Sequence, residues 1–298
     1  MVAGTKQTGS GAPTDVTNLL AERGLRAVDC TEITGLPLRD GDRATFRVEL
    51  ADGRLVKVRR LESDAVAAEL NDVLRAAPAI FTKPIVQHGP FLVEPWIYGT
   101  PLDTLPCHIE YVVIAAQALA DLHCVALPGL APEVPIGPLV AKFRDELEQL
   151  TGAGLLRDDD ARRLEDRIRL AGDPQTTPTG LCHSDLCAEN MVVDEHGVLH
   201  VIDNERVGRG TALDRDLART RYRWPMTLDH RAKFDDAYRA RRVELGRPYP
   251  ARGNEDEIRR MWDAIVVVGS AALRRQAPEH QLRFTLEHLR SMISGWRE

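Results

Sequence analysis

The apolar residues of this chain change period once, and that change limits its fold more than any other feature. Over residues 43–60 the runs RATFRVEL and LVKVRR alternate apolar and polar side chains, and ADGR stands between them. Period two buries one face of a pleated strand, and a Gly-containing turn between two such runs marks a β-hairpin. Val66, Leu70, Val73 and Leu74 then recur at helical spacing over 65–76, and the runs 80–86 and 91–94 read as further strands. After Gly99-Thr100-Pro101 the period becomes helical. Ile109, Val112, Val113, Ala116, Leu119 and Leu122 outline one amphipathic helix, Val140, Phe143, Leu147 and Leu150 a second, and 157–170 is a charged third. A short β interlude, NMVVD and VLHVID around the turn EHG, occupies 190–203. Helices resume at 229–244, at Asn254 with capping-box spacing to Glu257, and at 278–296. The expected fold class is α+β and bilobal. A small antiparallel sheet with one helix precedes a larger, mostly helical lobe. Residues 1–14 read as a disordered leader, 15–98 as the β-rich lobe and 99–298 as the helical lobe.

Composition removes several classes of function. The apolar stretches 111–116 and 264–269 fall far short of the ~18 residues of a membrane span. MVAGTKQTGSGAPTD holds no apolar core of a secretory signal. With 39 basic and 45 acidic residues the net charge is -6, which speaks against a general nucleic-acid binder and permits a cationic substrate. Five cysteines without a CxxC pair suit neither a disulfide framework nor a zinc ribbon, so the reducing cytoplasm is the expected compartment. Only five of the basic residues are lysines, which makes Lys57 on its strand informative. GxxxxGK[ST] does not occur, so a P-loop enzyme is not expected.

Residues 181–218 carry the chemistry. Asn190 opens one strand of the interlude and Asp203 closes the next, and antiparallel pairing brings such ends together. A carboxylate and an amide oxygen side by side are hard ligands suited to Mg²⁺. Asp185 precedes Asn190 by five residues in a loop. Phosphoryl transfer uses this layout, with one group orienting the attacking hydroxyl and others holding the metals.

The run His183-Ser184-Asp185-Leu186-Cys187-Ala188-Glu189-Asn190 resembles the HGDLHxxN loop of aminoglycoside phosphotransferases and related small-molecule kinases of the protein-kinase-like superfamily. Ile202-Asp203-Asn204-Glu205 resembles their metal segment, and Asp216-Leu217-Ala218 the DLA that follows it. The resemblance runs from about residue 36 to the C-terminal helices. It implies a protein-kinase-like fold and transfer of the γ-phosphoryl group of ATP, or GTP, to a hydroxyl of a small molecule. Asp185 would be the catalytic base, and Asn190 and Asp203 would bind Mg²⁺. His183 and Asp216 would support the loop. Lys57 would reach the nucleotide phosphates with Glu69 as its partner, Arg59 and Glu62 being competitors. Gly41, in the segment 38–43, would let backbone approach the phosphates. Residues 94–100 would be the hinge, where backbone around Glu94 meets the adenine edge. Pro95 has no N–H, so the donor would be Trp96 or Ile97. Glu255, Asp256 and Glu257 would be substrate contacts, as acids of the helical lobe are in aminoglycoside kinases. His123 would be a packing residue.

The sequence also departs from the family pattern. No GxGxxG precedes the hairpin, Ser184 stands for a glycine, Cys187 for a histidine, and Asn204 for an aromatic residue. Cys187 is a candidate for alkylation. Arg219, Arg221 and Arg223 follow the DLA, so the region is not simply acidic. The first expected acceptor is an aminoglycoside-like antibiotic, and a metabolite, as in choline or homoserine kinases, is the alternative. A nucleotide-binding pseudokinase serving as an interaction module and a metal-dependent phosphohydrolase using His183, Asp185, His200 and Asp203 are the rivals. The oligomeric state is open.

Overall fold

A computed structural model describes residues 14–34, 43–106, 109–172, 174–224, 226–250 and 253–296. The chain separates into two compact units. The first joins Met1–Thr104 to Met191–Glu205, and the second joins Leu105–Asn190 to Arg206–Glu298.

In the first unit, β1 (Ala27–Glu32), β2 (Ala44–Leu50), β3 (Leu55–Arg60), β4 (Val86–His88) and β5 (Phe91–Pro95) form one antiparallel sheet in the order β1-β2-β3-β5-β4. The period-two pattern explains the register. Phe46 lies opposite Val58 and Val48 opposite Val56, so the buried side chains of β2 and β3 meet on one face. α1 (Thr14–Glu22) covers that face with Val16, Leu19 and Leu20. α2 (Asp64–Ala76) starts where Ser63 Oγ accepts from Val66 N at 3.3 Å, an N-cap, and carries Asp64 in its first turn. Its C-terminus is closed by Lys83, whose Nζ donates to Leu74 O at 2.6 Å and also to Ala77 O.

Five local expectations are corrected here. Among the described residues the unit carries two α-helices rather than one, and strands begin at β1 rather than at residue 43. The run 80–86 is not a strand. Pro84 offers no ladder donor, and Phe81 makes only an isolated parallel bridge to Val201 before β4 starts at Val86. Asn254 caps its helix with no side-chain bond, and its amide donates to Leu170 O at 3.4 Å instead. The leader falls mostly on residues 1–13, which lie outside the described residues, and α1 begins at Thr14.

β6 (Thr100–Pro101), β9 (Met191–Val193) and β10 (Leu199–Val201) form a second small sheet in the first unit, in the order β10-β9-β6. Gly99 makes the approach of β6 to β9 possible. A Cβ there would sit 2.2 Å from Val193 O and 2.7 Å from Val192 Cγ1.

The second unit is helical around a third sheet. Its helices are α3 (Ile109–His123), α4 (Gly137–Gly152), α5 (Asp158–Leu170), α6 (Leu213–Arg223), α7 (Leu228–Glu244), α8 (Glu255–Leu273) and α9 (Glu279–Gly295). β7 (Glu133–Pro135), β8 (Thr176–Cys182) and β11 (Gly208–Ala212) pair in the order β11-β8-β7. α8 is apolar on most sides, with Met261, Trp262, Ile265 and Val268 buried, because α4, α5, α6 and α9 all pack on it. α3 lies along α7. β8 runs close beneath α3, where a Cβ on Gly180 would be 2.9 Å from His123 O. This strand delivers the chain to residue 183. No helix among the described residues is long and apolar enough to cross a membrane.

Gly99→Ala should lower the stability of the first unit by about 1–3 kcal/mol, the scale of an overpacked core. An unchanged urea midpoint would show that β6 and β9 can part without loss.

Candidate active site

The loop 183–190 leaves β8 and is held from below by one carboxylate. Asp216, in the first turn of α6, accepts from His183 N at 2.7 Å and from Ser184 N at 2.8 Å. Arg219 Nε donates to Ser184 O. Together they hold Ser184 at φ 64°, a left-handed conformation costing an ordinary L-residue roughly 1–2 kcal/mol and glycine almost nothing. That explains why a glycine is usual here and how a serine is tolerated. His183 Nδ1 accepts from Asp185 N at 3.2 Å, and Asn190 Nδ2 donates to Asp185 O at 2.9 Å. The loop is thereby closed on itself, and the side-chain oxygen of Asn190 has no donor among the described residues.

His123, at the end of α3, lies 3.1 Å through Nε2 from Asp216 Oδ2 and 2.7 Å through Nδ1 from Tyr238 Oη. Arg242 Nη1 donates to the same hydroxyl at 3.2 Å. Burial pushes the imidazole below its ordinary pKa, more strongly than Asp216 pulls it up. Burial likewise raises the Tyr238 phenol, which keeps its proton. The imidazole is therefore neutral, with Nε2–H donating to Asp216 and Nδ1 accepting from Tyr238. Burial works to raise the Asp216 carboxyl, but the hydrogen bonds from His123 and from the His183 backbone hold it below the usual range. The expected packing role of His123 becomes specific, since it supports the residue that supports the loop.

Asp185 faces three guanidinium groups. Arg219 Nη2 is 3.1 Å from Oδ1, Arg223 Nε 3.5 Å from the same oxygen, and Arg206 Nη1 3.7 Å from Oδ2. None of the three arginines was singled out from the sequence as a site residue. The helical spacing of Asp216, Arg219 and Arg223 puts them on one face of α6, but does not say which carboxylate that face meets.

In the first unit the charged residues meet at β3. Arg59 is 2% exposed and its Nε donates to Glu94 Oε2 at 2.8 Å, a pair buried on both sides. Its other nitrogens lie 3.3 Å from Asp203 Oδ1 and 3.3 Å from Glu205 Oε2. Lys57 Nζ donates to Asp203 Oδ1 at 3.2 Å. Burial and the neighbouring Arg59 push the lysine below its ordinary value, against the pull of Asp203 and Glu94. Burial opposes the Arg59 charge too, but Glu94, Asp203 and Glu205 outweigh it and raise that group. Lys57 thus meets Asp203 and not Glu69, which is exposed on α2. Arg59 is the competitor the structure brings into the cluster, whereas Glu62 pairs with Arg43 at 3.1 Å. Asp203 itself stands at φ 59°, a region Asp visits more readily than most residues. The next residue, Asn204, is buried and donates to Thr82 O at 3.3 Å and Val201 O at 3.2 Å, which accounts for an amide where an aromatic is usual.

In the segment 94–100, expected as the hinge, Trp96 N donates to Leu55 O at 3.2 Å, which leaves Ile97 as the candidate donor. Gly41 lies outside the described residues. The acids 255–257 are each engaged, Glu255 with Arg239, Asp256 with Arg259, and Glu257 with Arg167 and Arg260. Glu255 and Asp256 border a cavity with Asp214, Leu217 and Arg221, the face of α6 opposite Arg219 and Arg223. Of the histidines a phosphohydrolase would use, His183 is fully buried and His200 Nε2 lies 2.9 Å from Asp194 Oδ2. Cys187 is buried as well, and burial pushes its thiol up, so it is no target for alkylation.

A small antiparallel sheet carrying the cluster of Lys57, Arg59 and Asp203, and a helical unit whose loop carries Asp185 and Asn190, make up a protein-kinase-like fold shared with solved phosphotransferases. Residues 36–255 match the profile of the phosphotransferase enzyme family, and the chain belongs to that family. No curated protein matches the sequence. Solved structures do. A spectinomycin phosphotransferase, solved with ADP and spectinomycin, is 14% identical over 97% of this chain and 98% of its own, with a TM-score of 0.65. A macrolide 2'-phosphotransferase from Brachybacterium faecium is 16% identical over 92% and 96%, with a TM-score of 0.63. A choline kinase from Cryptosporidium parvum is 12% identical over 90% and 89%, with a TM-score of 0.60.

The His123 and Asp216 pair should write itself into the pH dependence of folding. A histidine whose folded pKa is depressed contributes stability that is complete above the unfolded value, about 6.5, and is lost as pH falls below it. A depressed Asp216 adds a second loss below about pH 4. Urea midpoints between pH 5 and 8 should therefore fall on acidification, and less so in His123→Gln. Equal slopes in the two proteins would overturn the neutral-imidazole assignment.

Proposed function

We propose that the protein transfers the γ-phosphoryl group of ATP to a hydroxyl of a small molecule with Mg²⁺ as cofactor. The observation that supports this best is the loop held by Asp216, which fixes the backbone of Asp185 and leaves the amide oxygen of Asn190 without a donor among the described residues. In the reaction the acceptor oxygen attacks the γ-phosphorus and a new P–O bond forms. The bond from that phosphorus to the β,γ-bridging oxygen breaks, its electron pair leaves with ADP, and the hydroxyl proton passes to Asp185. Positioning and electrostatics supply most of the rate in such loose transition states.

The first unit, with the β-rich lobe 15–98, serves the nucleotide. Lys57 and Arg59 neutralise its phosphates, Ile97 N–H meets the adenine edge, and Gly41 lets backbone come near. The donor set fits Mg²⁺, since the Asp203 carboxylate and the Asn190 amide oxygen are both hard ligands. When bound, the ion neutralises charge that gathers on the phosphate oxygens. GTP is the alternative donor. An antibiotic acceptor finds support in the likeness to the spectinomycin and macrolide phosphotransferases, and a metabolite in the likeness to the choline kinase. Both share the chemistry described. The free thiols of Cys30, Cys124, Cys182 and Cys187 fit a reducing cytoplasm.

Asp185→Asn should lower kcat about 10²–10⁴-fold, the scale of a general base, with MgATP binding kept. Normal turnover in that variant would sink the assignment. MgATP at 100 times its Kd should stabilise the wild type by ~2.7 kcal/mol, and Asp203→Ala should abolish that thermal shift. An unchanged shift would remove Asp203 from the metal site.

A further inference from the structure

The charge around Asp185 is the reverse of what an amine-bearing acceptor needs. Three guanidiniums, those of Arg206, Arg219 and Arg223, lie within 3.7 Å of one carboxylate. Glu189 reaches only Arg223, at 3.1 Å, and its own side chain is 65% exposed. Three positive groups against two negative ones leave the cluster cationic. All three arginines are partly open to solvent. Burial pushes Arg219 below the ordinary arginine value, and the like charges of Arg206 and Arg215 add to that. The acids 255–257 do not balance this charge, because each already faces an arginine, and Glu255 and Asp256 border the opposite face of α6. A cationic acceptor brought to Asp185 would meet like charge at short range, a cost that selects against it.

We propose that Arg206, Arg219 and Arg223 form an oxyanion subsite beside Asp185, and that the acceptor is a hydroxyl compound bearing a carboxylate or phosphate near the reacting hydroxyl. The inference rests on the phosphotransferase reading. A guanidinium offers a planar fork that matches either oxyanion with two parallel hydrogen bonds. Arg219 is the fixed member, since its Nε is spent on Ser184 O. Arg223 is the adaptable one, because an incoming oxyanion can replace the exposed Glu189 on Nη2. Arg206 makes one contact among the described residues, with Asp185. The anion draws the arginines away from the carboxylate and sets the neighbouring hydroxyl against it, so the three are positioning residues.

The test uses four probes of one size, D-glycerate, glycerol 3-phosphate, glycerol and choline, which carry hydroxyls and differ in charge. Thermal shifts without nucleotide are read on the wild type, Arg219→Gln, Arg223→Gln and Lys57→Ala, with MgATP as a separate titration. At least one anion should stabilise the wild type while glycerol and choline do not, and the stronger anion tells carboxylate from phosphate. Affinity should fall at least tenfold in Arg219→Gln and Arg223→Gln and persist in Lys57→Ala. If Arg219→Gln fails to fold for want of its bond to Ser184, Arg223→Gln carries the comparison alone. Anion binding that survives in the arginine variants overturns the subsite. So does binding lost in Lys57→Ala, which would put the anion among the nucleotide-phosphate groups, and so does a shift with choline alone. A normal MgATP shift with no anion shift removes this inference and leaves the phosphotransferase reading standing. Loss of the MgATP shift in the wild type removes that reading itself.

Discussion

One buried carboxylate organises the helical unit of this protein around the loop 183–190. Asp216 receives two consecutive backbone N–H groups and an imidazole, so its charge is met on several sides in a place water does not reach. A buried carboxylate without such partners is costly, and with them it becomes a rigid anchor. The anchor has a direction. Because Ser184 N is held to Asp216, Ser184 stays in the left-handed region and the chain turns so that Asp185 leaves the loop toward α6. The relay of Arg242, Tyr238 and His123 ties that turn to α7 and α3. Packing between two helices far apart in sequence is in this way coupled to the position of the Asp185 carboxylate.

The first unit solves a related problem with the signs reversed. There the buried charge is a cation, Arg59, and Glu94 on the neighbouring strand satisfies it. In the pairing of β3 with β5 Glu94 stands opposite Lys57, and Arg59, two residues along the same face of β3, reaches it diagonally. With Arg59 fixed inside, its outer nitrogens and Lys57 share Asp203. The helix α2 is not needed for that arrangement, and Glu69 is free to face solvent.

Much of this was legible in the residues themselves. The hairpin of β2 and β3 follows from strict alternation, and α3, α4 and α9 from apolar residues at helical spacing. The spacing of Asp185, Asn190 and Asp203 points to phosphoryl transfer from the sequence alone. What stayed hidden has physical reasons. β8 reads TTPTGLC, with a proline and a glycine and no alternation, so its place in a three-stranded sheet is set by its neighbours. β1 is largely exposed and has little apolar signal. The partner of Lys57 lies 146 residues away, and a local pattern favours the next helix instead. Arginines are abundant here, so Arg219 and Arg223 stand out only once α6 is seen to turn one face to Asp185, and Arg206 only once its own turn is seen to reach the same carboxylate.

Cys182 precedes the loop 183–190 and Cys187 lies within it, and both thiols are fully buried with burial raising their pKa. Peroxide attacks thiolates that are exposed and acidic, and climbs from sulfenic to sulfonic acid only from there. Neither sulfur here offers that first step. A loop with a cysteine where the family pattern has a histidine therefore gains no oxidative switch through that sulfur.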